Sequence, residues 1–283
     1  MKPLGPLGEA LAVAREEIVA ILLGVRALVF VVVYGGLLFG LGAVHDRLIA
    51  DKIPGYSAAD VQGTIAKNRL AIELAIEQSP DLEKLLGGPT VTAALLDGSM
   101  PIVLFVVLLM SAWALPGLIV LLGYDRIAED LGSRYARFVL QRVRRGSFLA
   151  GKLIGHVGAL LAVTIVIHAL MLAVAAISGA IPLGPILAAV PKVWCAAAIV
   201  FVGYAAFTSA ASSWIAPPFA ALLVSMAALV VFWVLSFGEL GRFWMGSQLV
   251  RIWVLDPIAV AVVLGNAAVF IALAYLRLRL RDV

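Results

Sequence analysis

Six stretches of this chain, roughly 24–44, 100–123, 151–177, 190–211, 216–237 and 256–276, stay apolar for about the 20 residues that a helix needs to cross the hydrocarbon of a bilayer. A soluble globule needs a polar coat. With 63% apolar and 13% charged residues and a mean hydropathy of +1.09, these 283 residues cannot supply one. The expected fold is all-α: a polytopic membrane protein with six transmembrane helices in a single transmembrane domain, 1–283.

The first apolar run follows the charged Arg15-Glu16-Glu17 and is long enough to cross, so it reads as a retained span rather than a signal peptide. The third run is the longest and is expected to tilt or project. One cysteine, Cys195, excludes an intrachain disulfide, and His45, His156 and His168 lie too far apart to form a metal-spaced pair.

Orientation follows the arginines and lysines of the short loops. Arg126, Arg134, Arg137, Arg142, Arg144, Arg145 and Lys152 place the loop after span two in the cytoplasm, and Arg277, Arg279 and Arg281 place the C-terminus there. Six spans then put the N-terminus inside, in agreement with Lys2 and Arg15. Arg47, Lys52, Lys84, Lys192, Arg242 and Arg251 lie on the outer side and weaken the bias without reversing it.

Three segments fall outside the spans on the outer face. The segment 45–99 carries a helical pattern with Val61, Ile65, Leu70 and Leu74 on one stripe, Ser57 as cap and Pro80 as stop. It is read either as a lid over the span ends or as a docking surface for an extracytoplasmic partner. A Pro/Gly turn follows at 178–185. The stretch 238–254 is too short and polar to cross, and Trp244 and Trp253 suit an interfacial or re-entrant element.

On the inner face, residues 4–22 repeat Leu4, Leu11, Ile18 and Leu7, Ala14, Ile21 at spacings of seven, with Glu9 and Glu16 on another face. That pattern predicts an amphipathic helix along the membrane surface, or else a plain extension of span one. The loop 124–150 holds an acidic turn (Asp125, Glu129, Asp130), a Gly132-Ser133 break, and a second helix that Ser133 is expected to cap and Gly146 to end. Tyr135, Phe138, Val139 and Val143 share one face of that helix; Arg134, Arg137, Gln141 and Arg144 share the other. Resting on anionic lipid would account for the basic face, but not for the acidic turn.

The order of these features resembles the ABC-2 type permeases, the membrane subunits of ATP-binding-cassette exporters. The matching residues are the Arg-Glu pair of AVAREEIVAIL, then Glu129, Asp130, Gly132, Ser133, Arg145, Gly151 and Lys152. Ser133 stands where threonine is usual, and Arg142-Val143-Arg144-Arg145 where Pro-x-Ser-Arg is common. The resemblance implies a bacterial inner-membrane subunit that forms the translocation pathway as a dimer, with 124–150 serving as the coupling helix of a separate ATPase. Asp125, Glu129, Asp130, Gly132, Ser133, Arg134, Arg137, Arg144, Arg145 and Lys152 are then the expected ATPase-coupling residues.

The chain has no GxxxxGK[ST] loop, so no cofactor is expected on it, and ATP and Mg would belong to the partner ATPase. A second permease copy and membrane lipid complete the expected partners, with no nucleic acid. His168 and Asn266 are the central polar residues of the spans, as pathway candidates or as hydrogen-bond partners of neighbouring helices. Glycines at 36 and 40 and at 151 and 155 mark close helix approaches, and Pro116 and Pro217-Pro218 mark kinks or starts. An intramembrane enzyme lacks its motifs here. A non-transporting anchor or channel subunit is the alternative, and the scarcity of charge in the spans favours an amphiphilic or hydrophobic cargo over an ion.

Overall fold

The computed structural model describes residues 5–40, 73–74, 76–78, 83, 87–97, 102–133, 135–178, 183–215, 217–236 and 239–280, and within these there are helices and no strands. Helix α1 (Pro6–Leu22) meets α2 (Val25–Gly40) at a 59° bend. A short α3 (Pro89–Leu96) precedes α4 (Ile102–Gly123). Two small helices, α5 (Ala128–Gly132) and α6 (Tyr135–Leu140), lead into α7 (Arg145–Ser178). The bundle is completed by α8 (Leu183–Trp214), α9 (Pro218–Leu235), two 3-10 turns over Glu239–Phe243 and Met245–Gln248, α10 (Leu249–Ile252) and α11 (Pro257–Leu280).

Helices α4, α7, α8, α9 and α11 are each long and apolar enough to cross a membrane, and the bent pair α1–α2 adds a sixth candidate if it counts as one span. The protein is thus a helical bundle with the composition of a polytopic membrane protein. The crossing stretch of α4 is 56% buried and that of α9 only 11%, so α4 lies at the centre and α9 at the rim.

The main core packs Phe30, Tyr34 and Leu38 of α2 against Leu115 and Ile119 of α4, Leu160 and Ile167 of α7, and Phe201 and Tyr204 of α8. A second core, Val13, Ile127, Phe148, Leu149, Ala274 and Leu278, lies where the arginine-rich loop meets α1 and α11. We call this the basic end and the opposite one the far end.

Local chemistry sets the helix boundaries. Pro6 and Pro218 sit in the first turns of α1 and α9, where a missing N–H costs nothing. Gly87 and Gly88 both have positive φ and turn the chain into α3; a side chain at Gly87 would also strike Val250.

Three expectations need correction. Ser133 closes α5, its N–H bonding the Glu129 carbonyl at 2.8 Å, instead of opening the next helix. The basic helix stops at Leu140 because the Val139 carbonyl takes the N–H of both Arg142 and Val143, forming a turn that delivers Phe148 and Leu149 to the second core. Gly146 therefore ends nothing; it lies in the first turn of α7. Trp253 and Trp244 also turn inward, Trp253 buried and Trp244 stacked 3.7 Å from Phe232. The helix expected from Ser57, with Val61, Ile65 and Leu70, lies outside the described residues apart from its last turns.

Candidate functional site

Helix α1 reaches its place because α7 has no side chains in the way. A Cβ at Gly151 would come within 2.5 Å of Val13 Cβ and 2.6 Å of the Ala10 carbonyl, and one at Gly155 within 2.5 Å of Glu17 Cβ. The close approach signalled by the 151/155 spacing thus receives α1. Ala10, Val13, Ala14, Glu17 and Ile21 form its buried face, while Leu7 and Leu11 remain exposed.

That packing drives a carboxylate into the bundle. Glu17 is 3% exposed and pairs with two cations: Arg126 Nη1 lies 2.7 Å from Oε1, and Lys152 Nζ donates to Oε2 at 2.9 Å. Lys152 also lies 2.7 Å from Asp130 Oδ2. Arg26, on the first turn of α2, donates to Asp125 and lies 4.0 Å from Glu129. Three cations, Arg26, Arg126 and Lys152, therefore face three carboxylates, Glu17 and Asp125, which are buried, and Asp130, which is nearly so, with Glu129 at the rim. A balanced set of this kind is tolerated at low dielectric only while every member stays paired.

Further bonds fix the loop around this hub. The N–H groups of Ile127 and Ala128 donate to Ser212 Oγ on α8 at 3.1 and 2.8 Å. Tyr135 donates to Glu16 at 3.2 Å, and the Arg144 N–H donates to Glu9 at 3.1 Å. Burial first, and then the Glu16 charge and hydrogen bond, push the Tyr135 hydroxyl up from its ordinary value, which keeps it a donor. Arg145 Nη1 donates to the Arg279 carbonyl at 3.2 Å and so joins the loop to α11.

Of the residues singled out in the sequence, Asp125, Asp130 and Lys152 are buried or nearly so and paired inside the protein, whereas Glu129, Gly132, Ser133 and Arg144 are exposed. Arg134 lies outside the described residues, and Arg137 is described only as part of α6. Phe138 projects from α6 at 55% exposure with Arg142 stacked 4.4 Å above its ring, beside the exposed Tyr135. Sequence reading missed Glu17, Arg26 and Arg126 as members of the hub. The Arg-Glu-Glu run was the one local hint, since a charged triplet is costly beside an apolar run unless it has partners.

The two central polar residues of the spans serve separate sets of partners. His168 Nε2 is 3.3 Å from the Tyr34 hydroxyl, which is 3.1 Å from Ser111 Oγ. Asn266 Nδ2 donates to the carbonyls of Phe243 at 3.0 Å and Val262 at 2.7 Å. At the far end, Asp256 caps α11 through Oδ1, which accepts from the N–H groups of Ile258 and Ala259. Its Oδ2 accepts from Arg251 at 2.8 Å and from Thr90 of α3 at 3.1 Å. Burial opposes the charge of Asp256, but the bonds from Arg251, Ala259 and Thr90 outweigh it and hold the carboxyl below the usual carboxylate range.

No family model matches this chain, and no curated protein sequence matches it either.

Proposed function

We propose that this chain is the permease subunit of an ATP-binding-cassette exporter of the ABC-2 type, forming a translocation pathway as a dimer and driven by a separate ATPase seated on residues 124–150. The observation that carries this reading is the hub. An exposed aromatic and basic surface, Tyr135, Phe138, Arg142 and Arg144, belongs to a segment whose root is ion-paired to α1, α2 and α7 at once. A push on that surface moves the root as a rigid piece, and α2, α4 and α7 with it, because a displacement that separated the pairs would leave charges buried alone.

In this reading α2 is span one, α4, α7, α8, α9 and α11 are the other five, and the basic end and both termini face the cytoplasm of a bacterial inner-membrane protein. Helix α1 runs along the cytoplasmic surface, braced on α7. The chain lacks a phosphate-cradling glycine loop, so ATP and Mg belong to the partner. The apolar spans suit an amphiphilic or hydrophobic cargo.

The hub also divides the loop residues into two roles. In this reading Glu129, Tyr135, Phe138 and Arg144 touch the partner, and Asp125, Asp130 and Lys152 carry motion inward. Purification in mild detergent should bring down an ATPase with a Walker loop. Phe138→Asp should release that ATPase without unfolding the permease. Asp130→Asn should retain the ATPase but lose substrate-stimulated turnover. ATP hydrolysis by this polypeptide alone, or full coupling in both variants, would sink the assignment, and binding without substrate-stimulated turnover in the unmodified protein would make it an anchor instead.

A further inference from the structure

The hydroxyls of Tyr34 and Ser111 and one ring nitrogen of His168 form a row across α2, α4 and α7, within the apolar stretches of these helices. Counting protons assigns each bond. Ser111 Oγ lies 2.7 Å from the main-chain carbonyl of Val107, and since a carbonyl has no proton to give, the serine donates there. Its one proton is then spent. The 3.1 Å contact with Tyr34 therefore uses the tyrosine's proton, with Ser111 accepting. Tyr34 has nothing left to give to His168 Nε2 at 3.3 Å, so the histidine donates to the tyrosine oxygen. Among the described residues no carboxylate pairs with His168, and an unpaired imidazolium among apolar helices is costly, so the ring is neutral. A neutral ring carries one N–H, and with that proton on Nε2, Nδ1 is a bare acceptor.

Among the described residues nothing satisfies that acceptor, because the ring makes no further hydrogen bond. Tyr34 and Ser111 are buried, while His168 is half-buried at the edge of the core, between the exposed Val166 and Leu170. The two ring nitrogens point apart, so with Nε2 turned to Tyr34, Nδ1 is turned away from it. The Tyr34 ring, 6.1 Å away between centroids, holds the imidazole in this place. An unmet acceptor at the edge of a span costs free energy that water cannot relieve inside a bilayer. A molecule dissolved in the membrane relieves it by bringing an O–H or N–H. The row is no proton relay, since it ends on the Val107 carbonyl, which cannot pass a proton on. Nor is it a metal centre, as no group of three His, Cys, Asp or Glu among the described residues could hold an ion.

We infer that His168 is the point at which this protein recognises a membrane amphiphile bearing a hydroxyl or amide N–H, which donates to Nδ1. An amphiphile with only ester or ether oxygens has no proton to offer and gains nothing there. Ser111 sets this preference without touching the ligand: its bond to Val107 decides, through Tyr34, which ring nitrogen carries the proton. The inference requires only that α7 lies in a bilayer, and it stands whether or not the chain is a permease.

Photolabelling in phosphatidylcholine nanodiscs tests it, with a tetradecanol that carries a diazirine and with the methyl ether of the same molecule, which lacks the donor. One net hydrogen bond corresponds to about a fivefold preference, so the alcohol should label the peptide around His168 about five times as heavily as the ether. His168→Phe keeps a ring without the acceptor and should bring the alcohol down to the level of the ether. Ser111→Ala is the sharper variant. Tyr34 is then free to donate to Nε2, the ring proton moves to Nδ1, and alcohol and ether, which both accept, should label equally. Nitrogen-15 spectra of histidine-labelled protein should show the His168 proton on Nε2 in the unmodified protein and on Nδ1 in Ser111→Ala. The labelling ratio and the tautomer of the unmodified protein decide the matter even where a variant fails to fold. Equal labelling by the two probes in the unmodified protein, a proton on Nδ1 there, or an alcohol preference that survives either substitution would overturn the inference.

Discussion

At the basic end, Glu17 and Asp125 are held by cations that lie 135 and 99 residues away along the chain. At the far end, Asp256 is held by Arg251, five residues before it, and by the first turn of the helix that it caps; among the described residues only Thr90 reaches it from a distance. Both arrangements neutralise a buried acid, yet they constrain different things. The far-end knot fixes one local corner and pins α3 to it. The hub fixes the relative positions of α1, α2, α4 and α7, so none of these can shift at that end without the others. Long-range pairing of this kind ties helices into one mechanical unit; local pairing shapes a terminus.

The sharpest way to break the contrast is to remove one acid from each end. Glu17→Leu leaves Arg126 and Lys152 short of a partner in a site closed to water, and the expected loss is about 3 to 5 kcal/mol in denaturant unfolding in detergent. Replacing Arg126 by methionine in the same variant should recover much of it, since Lys152 still pairs with Asp130 and Arg26 with Asp125. A loss no greater than that of a surface substitution would show that the hub is solvated.

Next in size is the packing beneath the hub. Gly155→Val puts two methyl groups where Glu17 Cβ and the Ala14 carbonyl already sit. Over-packing of this sort costs about 1 to 3 kcal/mol. Protease cleavage within residues 5–22 should become faster as α1 lifts, while cleavage near Thr90 should not change. Equal acceleration at both places would mean that the two ends are not independent.

The smallest effect belongs to the far end. Asp256→Ala loses a cap and an ion pair, about 1 to 2 kcal/mol at neutral pH. Because the folded carboxyl is held below its ordinary value, its stabilisation is complete above the unfolded pKa of about 3.9 and is lost as the pH falls through the lower folded value. The gap in melting temperature between the unmodified protein and Asp256→Ala should therefore stay constant from pH 8 to pH 5 and close below about pH 4. A gap that closed near neutrality would assign the effect to another group.

The long helices were legible because a bilayer imposes a length that apolar runs must meet, and all six runs contain helix in the structure. Half of the hub was legible too. Asp125, Glu129, Asp130 and Lys152 stood out as charges beside apolar runs. Their partners did not, because pairing across a hundred residues leaves no periodicity to read. Gly151 and Gly155 announced a close contact, but spacing alone could not show that α1 would fill it. The Asp256-Pro257 step was a readable signal, an N-cap residue before a proline at the first helical position, and it went unused. The basic helix was drawn too long because its alternating faces continue past Leu140, whereas the backbone turns there to bury Phe148.

The π-helical turn at Val31–Gly35 has a consequence for the register of α2. In an ordinary α-helix residues four apart creep sideways by about 40° per step, so a line such as Phe30, Tyr34, Leu38 would wind off its target. Wider winding across the first of the two steps offsets the creep of the second, and all three side chains stay at or below 1% exposure in one seam against α4 and α7. The helix therefore works like a gear cut with one extra tooth. With that tooth in place, Tyr34 meets Ser111 and His168 while Arg26, two turns earlier, meets Asp125. Removing it would turn one half of α2 by about 100° against the other, so that only one of the two meshes could be kept.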